Sequence, residues 1–353
     1  MTTPAQAYTW LNKPLTRLFF SEQLRAVGRF ILEDIQARHF PPDFEHLLIK
    51  ALHQPGKLLN SPVMQGALLD RAELRCWAFV PLLAAAAASG TQVAGFSHLP
   101  TSFWQRACAV AAATEFLGAA LDVIDDVQDG DSPFVQQVGI PLALNTGVAL
   151  LEMAPLALGR ARIAGQPAAL ADAALETLHT SILTSLGGQF LDLHFEQLNA
   201  VTEEQVIEMT GQKSGTLLAL VCRLGAMAGM DEQQQANADY FEAISLFGWH
   251  LGVWHQLLND LHDAERAEYQ PGKSDRQRRK KTLPLLLEKR GMIEEAGETQ
   301  EQRLLNTQAA FSYSYVAAET FHLRAKKTLQ TLEERFGPHP QLWPLLNTSW
   351  EEG

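Results

Sequence analysis

A chain of 353 residues, 46% of them hydrophobic and 19% charged, excludes intrinsic disorder and is long enough for one large domain or two ordinary ones. Its formal charge of −12 excludes the basic balance that nonspecific nucleic-acid binding needs, so no nucleic-acid partner is expected. Any polyanionic ligand has to be held by local cations or by metal. The cysteines, Cys76, Cys108 and Cys222, are isolated, with neither zinc-ligand pairs nor a disulfide framework. Residues 1–11 lack a basic region followed by an apolar one, which makes the cytoplasm the expected compartment.

Period-two alternation is scarce, and the long segments are rich in Ala, Leu, Gln and Glu, so the expected fold is all-α. In chain order, helices are expected over 15–38, 44–52, 65–89, 102–129, 141–163, 168–198, 203–228, 232–266, 281–289 and 298–335. Pro41-Pro42 and the stretches 53–62, 91–100, 130–139 and 270–279 carry the Pro, Gly, Ser and Asp that stop helices and open loops. The apolar stretch 139–159 approaches membrane-spanning length but holds Asn145, Glu152 and Pro155. It is expected as a buried core helix, with no transmembrane segment in the chain. No break reads as an interdomain linker and no repeat of fixed period is visible. One helical domain over 15–336 is expected, between a flexible N-terminal arm, 1–14, and a C-terminal tail, 337–353.

The helix expected over 102–129 is almost wholly apolar through 116–124, broken only by Asp122, and then delivers Asp125, Asp126 and Asp129. Side chains three and four apart share a helical face, so Asp125 and Asp129 can point into one cavity. Like charges placed there repel, and on an apolar helix each also loses hydration unless a cation compensates. A hard divalent metal with oxygen ligands is the natural compensation, magnesium being one that completes its shell with phosphate oxygens. A second apolar helix repeats the device, with 247–256 leading into Asn259, Asp260 and Asp263. The basic run 276–281 fits either a solvated loop or a mobile anion clamp.

Further residues stand in register with these two clusters. They are Glu115, Gly188-Gln189 with Asp192, Lys213-Ser214-Gly215, Phe247-Gly248, Gly252, Gln256, Gly272-Lys273 and Lys280-Lys281-Thr282-Leu283-Pro284. In this order and spacing, across roughly residues 50–290, the chain resembles the trans-isoprenyl diphosphate synthases, or polyprenyl synthetases. The resemblance implies a single-domain antiparallel helical bundle of the isoprenoid synthase type around a deep central cavity. It implies an allylic prenyl diphosphate as substrate and magnesium, three ions, held by Asp125, Asp126, Asp129, Asn259, Asp260 and Asp263. It also implies a possible homodimer. The catalytic set carried over is Asp125, Asp126, Asp129, Asp260 and Lys213, and the substrate contacts are Lys57, Gln189, Lys213, Gln256, Lys273 and Lys280. Metal and lysines would neutralise the leaving diphosphate as the carbon–oxygen bond breaks; each lysine also fits a snorkelling surface residue.

The chain departs from the family at Trp254, His255 and Asn259, and above all at two diphosphate-binding places. Chain-elongating members carry Gly-Gly-Lys-Arg-x-Arg-Pro, which binds the diphosphate of isopentenyl diphosphate; here the stretch is Pro55-Gly56-Lys57-Leu58-Leu59-Asn60-Ser61. The family's Arg-Arg-Gly after the first acidic motif is matched by Gln136-Gln137-Val138-Gly139. Leucine and glutamine supply neither the charge nor the paired hydrogen bonds of arginine. An ionisation site is therefore expected to be kept while the usual second-substrate site is degenerate. Cyclisation or water capture, a terpene synthase reaction, is ranked first. Prenyl transfer to a non-standard acceptor such as a peptide, or to isopentenyl diphosphate, is ranked second, and a noncatalytic subunit third. Trp249 and Trp254 would stabilise a cation if they face the cavity and are core residues if they do not. In the resembled family, bulky residues four, five or eight positions before the first motif limit the prenyl chain. Leu121, Ala120 and Leu117 stand there, so farnesyl or geranylgeranyl diphosphate is expected as substrate.

Overall fold

The computed structural model describes residues 13–70, 76–91, 96, 98–130, 132–231, 237–269, 280–293 and 300–347. Among them there is no strand, and the fold is all-α as the composition predicts. The helices are α1 (Pro14–Gln36), α2 (Pro42–Ala51), α3 (Phe79–Ala88), α4 (Thr101–Asp129), α5 (Pro133–Val138), α6 (Ile140–Ile163), α7 (Ala168–Glu196), α8 (Glu203–Thr210), α9 (Thr216–Gly229), α10 (Ala238–Tyr269), α11 (Leu283–Ile293) and α12 (Gln300–Phe336). A turn of π-helix, Gly211–Gly215, joins α8 to α9, so the helix expected over 203–228 carries a register change in its middle.

Two expectations fail locally for visible reasons. Among the described residues, the helix expected over 65–89 is reduced to Phe79–Ala88, because Gly66 adopts a left-handed φ of 98° at the end of the short 3-10 turn Pro62–Gln65. Beyond it the backbone is satisfied by α1 instead of by a helix of its own: Leu69 N–H donates to Ser21 Oγ and Arg17 Nε donates to the Leu69 carbonyl. The loop expected over 130–139 contains α5, started by Ser132, whose hydroxyl accepts from Phe134 N–H, with Pro133 in the first turn.

The helices group into two compact units. The first comprises Met1–Leu178, Val221–Phe241 and Leu332–Ser349. Its centre is α4, on which Phe116, Leu117 and Ala120 are fully buried. The alanine-rich α3 is buried along its whole length. Alongside α4 runs α6, close enough that a Cβ at Gly147 would lie 3.1 Å from Ile124 and 3.3 Å from Val123. Only one face of α6 is so covered: Ile140, Leu142, Val148 and Leu156 are each about half exposed. The stretch expected as a buried core helix is thus half buried, because it packs by one stripe alone. By length and apolar composition α4 and α6 are both able to cross a membrane, with 83% and 44% of their apolar windows buried within the protein.

The described part of the expected C-terminal tail is packed into this first unit. Leu342, Trp343, Leu345 and Leu346 are buried, and His339 bonds the Gly337 carbonyl through Nδ1 and the Tyr240 hydroxyl through Nε2. Burial drives the tail inward, and it holds the His339 imidazole below its ordinary pKa against the opposing effects of Gly337 and Glu333. The second unit comprises His179–Leu220, Glu242–Thr331 and Trp350–Gly353. In it, α10 presses on the π-turn: a Cβ at Gly252 would lie 2.5 Å from the Ser214 carbonyl oxygen, and one at Gly248 would lie 2.5 Å from that of Leu218.

Candidate active site

In the first unit, α4 ends on its acidic motif. Leu117 and Ala120 are fully buried and Leu121 partly, and one turn later Asp125, Asp126 and Asp129 are half-buried before Gly130 closes the helix with a left-handed φ of 72°. The apolar turns are set by core packing, and helical periodicity alone then carries the aspartates to the boundary of the core.

Two further carboxylates on α4 form a separate group around Lys57. Glu115 and Asp122 are seven residues apart, hence on one face of the helix. Lys57, with only 4% of its side chain exposed, makes an ion pair through Nζ with Asp122 Oδ2. Glu115 is completely enclosed; its Oε1 accepts from Ala78 N–H at 2.9 Å and its Oε2 from Leu58 N–H at 3.2 Å. Burial pushes its carboxyl above the ordinary pKa, opposed by Lys57 and the two backbone donors and reinforced by Asp122. Glu115 thus ties the Lys57–Leu58 turn and the start of α3 to the middle of α4. Leu58, where the resembled motif has arginine, and its neighbour Leu59 are core residues. Gln137 Oε1 accepts from Lys50 Nζ.

In the second unit the other motif residues converge through their glycines. A Cβ at Gly188 on α7 would lie 2.3 Å from the amide nitrogen of Lys213, so only glycine lets α7 approach the π-turn this closely. Ser185 Oγ donates to the Lys213 carbonyl at 2.8 Å, and Lys213 Nζ reaches Asp192 Oδ2 at 2.7 Å. From the same turn Ser214 Oγ donates to Gln256 Oε1 at 2.7 Å, and Gln256 Nε2 donates to Asp260 Oδ1 at 2.8 Å. Asp260 is buried, Asn259 is half-buried, and Asp263 is exposed beside Arg266 at 3.9 Å. Gln189 is half-buried on α7, and Lys280 is half-buried before α11.

The chain matches the family model described as Polyprenyl synthetase over residues 79–312. This chain belongs to the polyprenyl synthetase family. It is thereby an isoprenoid synthase enzyme. Among curated relatives, it is 28% identical to a short chain isoprenyl diphosphate synthase of Methanothermobacter thermautotrophicus, over 65% of this chain and 74% of that protein. It is 30% identical to a geranylgeranyl diphosphate synthase of Saccharolobus solfataricus over 58% of this chain and 61% of that protein. With the tryptophan prenyltransferase ComQ of Bacillus subtilis subsp. natto it shares 29% identity, over 45% of this chain and 46% of the relative. The match thus spans less than two thirds of the latter two relatives. A geranylgeranyl pyrophosphate synthetase from Geoglobus acetivorans has the same fold, with a TM-score of 0.65, 22% identity and coverage of 93% of this chain and 96% of that one. So does a Caulobacter crescentus polyprenyl synthase solved with calcium and isoprenyl diphosphate, with a TM-score of 0.56, 18% identity and coverage of 93% and 98%.

Within the family frame, the structure assembles the motifs in two sets. Asp125, Asp126, Asp129, Lys57 and Glu115 belong to the first unit; Lys213, Gln189, Gln256, Asn259, Asp260, Asp263 and Lys280 belong to the second. Lys273 and residues 276–279 of the basic run lie outside the described residues. Among the described residues, no three His, Cys, Asp or Glu side chains stand close enough to form a ready ligand group. The donor chemistry nevertheless fits a hard divalent cation. Asp125, Asp126 and Asp129 are half-buried like charges on one helix end, the Oδ1 atom of Asp129 being fully buried, and carboxylate oxygens are the ligands such a cation takes. For the tryptophans, the structure shows packing. Trp254 is buried and stacked on His322 at 4.2 Å, while Trp249 lies against Gly211 and Gly215, with Phe321 at 6.0 Å. Sequence reading gave Asp122 and Ser214 no role; the signal for Asp122 was its lone charge in an apolar run.

Proposed function

We propose that this enzyme is a metal-dependent prenyltransferase that ionises an allylic prenyl diphosphate, farnesyl or geranylgeranyl preferred, and transfers the prenyl group to a nucleophilic acceptor. The carbon–oxygen bond breaks with its electron pair leaving on diphosphate. The acceptor supplies the pair for the new carbon–carbon or carbon–heteroatom bond and gives up a proton, so the products are prenylated acceptor and protonated diphosphate. The observation that carries the reading is the half-buried acidic end of α4, built on fully buried Leu117 and Ala120, in a chain that belongs to the polyprenyl synthetase family.

Asp125, Asp126 and Asp129, with Asn259, Asp260 and Asp263, are the residues that would hold magnesium; three ions suit that number of ligands. Bound metal supplies Lewis-acid neutralisation of the leaving diphosphate. Ser214 and Gln256 orient Asp260, and Asp192 orients Lys213, whose ammonium is a cation suited to a diphosphate. Lys273 and Lys280 would add further cations, and Gln189 a polar contact.

Cyclisation, ranked first from the sequence, gives way to prenyl transfer, because the relatives are named as diphosphate synthases in two cases and as a tryptophan prenyltransferase in a third. The packed indoles of Trp249 and Trp254 remove an argument for a cation-guiding aromatic wall. Purified protein with magnesium is to be incubated with geranyl, farnesyl and geranylgeranyl diphosphates, each with and without isopentenyl diphosphate or a tryptophan-containing peptide. Acceptor-dependent prenylated product supports transfer. Diphosphate release accompanied only by cyclic or hydroxylated hydrocarbons would return the reaction to a terpene synthase.

A further inference from the structure

The Lys57 turn keeps one cation of the resembled motif and pairs it with a carboxylate of α4. Lys57 is almost fully enclosed, its ammonium bonded to Asp122, with the buried carboxyl of Glu115 on the same face of α4 exerting a charge interaction on it. Beside that ion pair the turn is apolar, and the neighbouring cation, Lys50, already donates its ammonium to Gln137. Leu58 is 0% and Leu59 5% exposed, with the Leu58 amide held by Glu115, and Gln137 is held by Lys50. A diphosphate arriving at Lys57 would meet a cation already matched by a carboxylate, with a second carboxyl behind it. To bind, it would have to displace Asp122 from Lys57, then sit beside like charge in a poorly hydrated corner. Asp122 is 58% exposed, so its own hydration does not require the pairing; the enclosed ammonium does.

We propose that Asp122 is the built-in counter-ion of Lys57 and closes this turn to a second diphosphate, so that the acceptor of the enzyme is a nucleophile carrying no diphosphate. The inference rests on the prenyl-transfer reading for the word acceptor, whereas the closure itself is a property of the chain that can be measured without any reaction.

The test is calorimetric titration of the full chain with isopentenyl diphosphate, without magnesium and without allylic substrate, so that the metal-dependent site takes no part. Wild-type protein shows no saturable binding at millimolar ligand. Asp122→Asn, nearly isosteric at a half-exposed position, gains binding at least about tenfold tighter than wild type, the scale of one charge-assisted contact. The double variant Lys57→Met, Asp122→Asn loses that gain. Saturable binding by the wild type, elongation of farnesyl diphosphate by isopentenyl diphosphate, or a folded Asp122→Asn protein with no gain would each overturn the proposal, as would a gain that persists in the double variant. The wild-type arm does not depend on any variant folding. Failure of the prenyl-transfer reading shows separately, as no diphosphate release or as release with only cyclic or hydroxylated hydrocarbons, and leaves the binding result standing.

Discussion

Asp125 sits at a boundary where core packing ends and charge begins, and this makes its contribution to activity separable from its contribution to stability. Asp125→Ala is expected to lower diphosphate release roughly 100-fold or more, the scale of losing one preorganised electrostatic stabiliser, with an unchanged helical circular dichroism spectrum. Its metal-free melting temperature should not fall, since the change relieves repulsion with Asp126 and Asp129. Glu115 behaves in the opposite way, because its two oxygens each take a backbone N–H. Glu115→Gln leaves one of those donors facing an amide, at a cost of about 1–3 kcal/mol near pH 4. The folded pKa of Glu115 is raised, so its contribution is full below the unfolded value and is lost as pH rises through the folded value. Glutamine has no such dependence, so the deficit of the variant in denaturant melts should shrink as pH rises from about 4. The aspartate triad was legible from spacing alone. Asp122 was not, because its partner Lys57 is 65 residues away and only the folded chain joins them.

At the level of elements, the glycines carry the second set of motif residues. Gly188→Ala would put a methyl 2.3 Å from the Lys213 backbone nitrogen, and the π-turn that presents Lys213 and Ser214 would have to move. A loss of about 1–3 kcal/mol in stability is expected, the usual scale for overpacking, together with a fall in kcat. The conservative control is Gly187→Ala, where the nearest atom is the Gln212 side-chain oxygen at 3.7 Å. On α4, Ala120→Phe adds bulk one turn inside the acidic end, where the residue is fully buried. Each further methylene of a prenyl chain buried in an apolar tunnel is worth about 0.8 kcal/mol. The variant is therefore expected to shift preference from geranylgeranyl toward geranyl diphosphate, measured as the ratio of kcat/KM values. Helix positions were readable because Ala and Leu runs and Pro-Gly breaks act locally. The missing half of the 65–89 helix was not, since what stops it is a left-handed Gly66 together with hydrogen bonds to α1. The π-turn left no pattern in hydropathy.

For the whole molecule, the outer face of α6 is the feature that a single chain leaves uncovered, with Ile140, Leu142, Val148 and Leu156 each about half exposed. Exposed apolar side chains of this kind are suited to an interface, and we expect a second copy as the occupant. Light scattering should report a homodimer for the wild type and a monomer for Leu142→Glu with Val148→Glu. The all-α architecture followed from composition and periodicity, but the grouping of the motif residues into two compact units did not, since it depends on contacts between segments far apart in the chain. The central claim is that the acidic end of α4 serves metal-assisted ionisation of an allylic diphosphate. Its most direct measurement is diphosphate release from farnesyl diphosphate across a magnesium titration, for wild type and Asp125→Ala side by side. The account predicts release that is absent in chelator, rises to saturation with magnesium and is nearly abolished in the variant; equal release in chelator, or equal release by the variant, would contradict it.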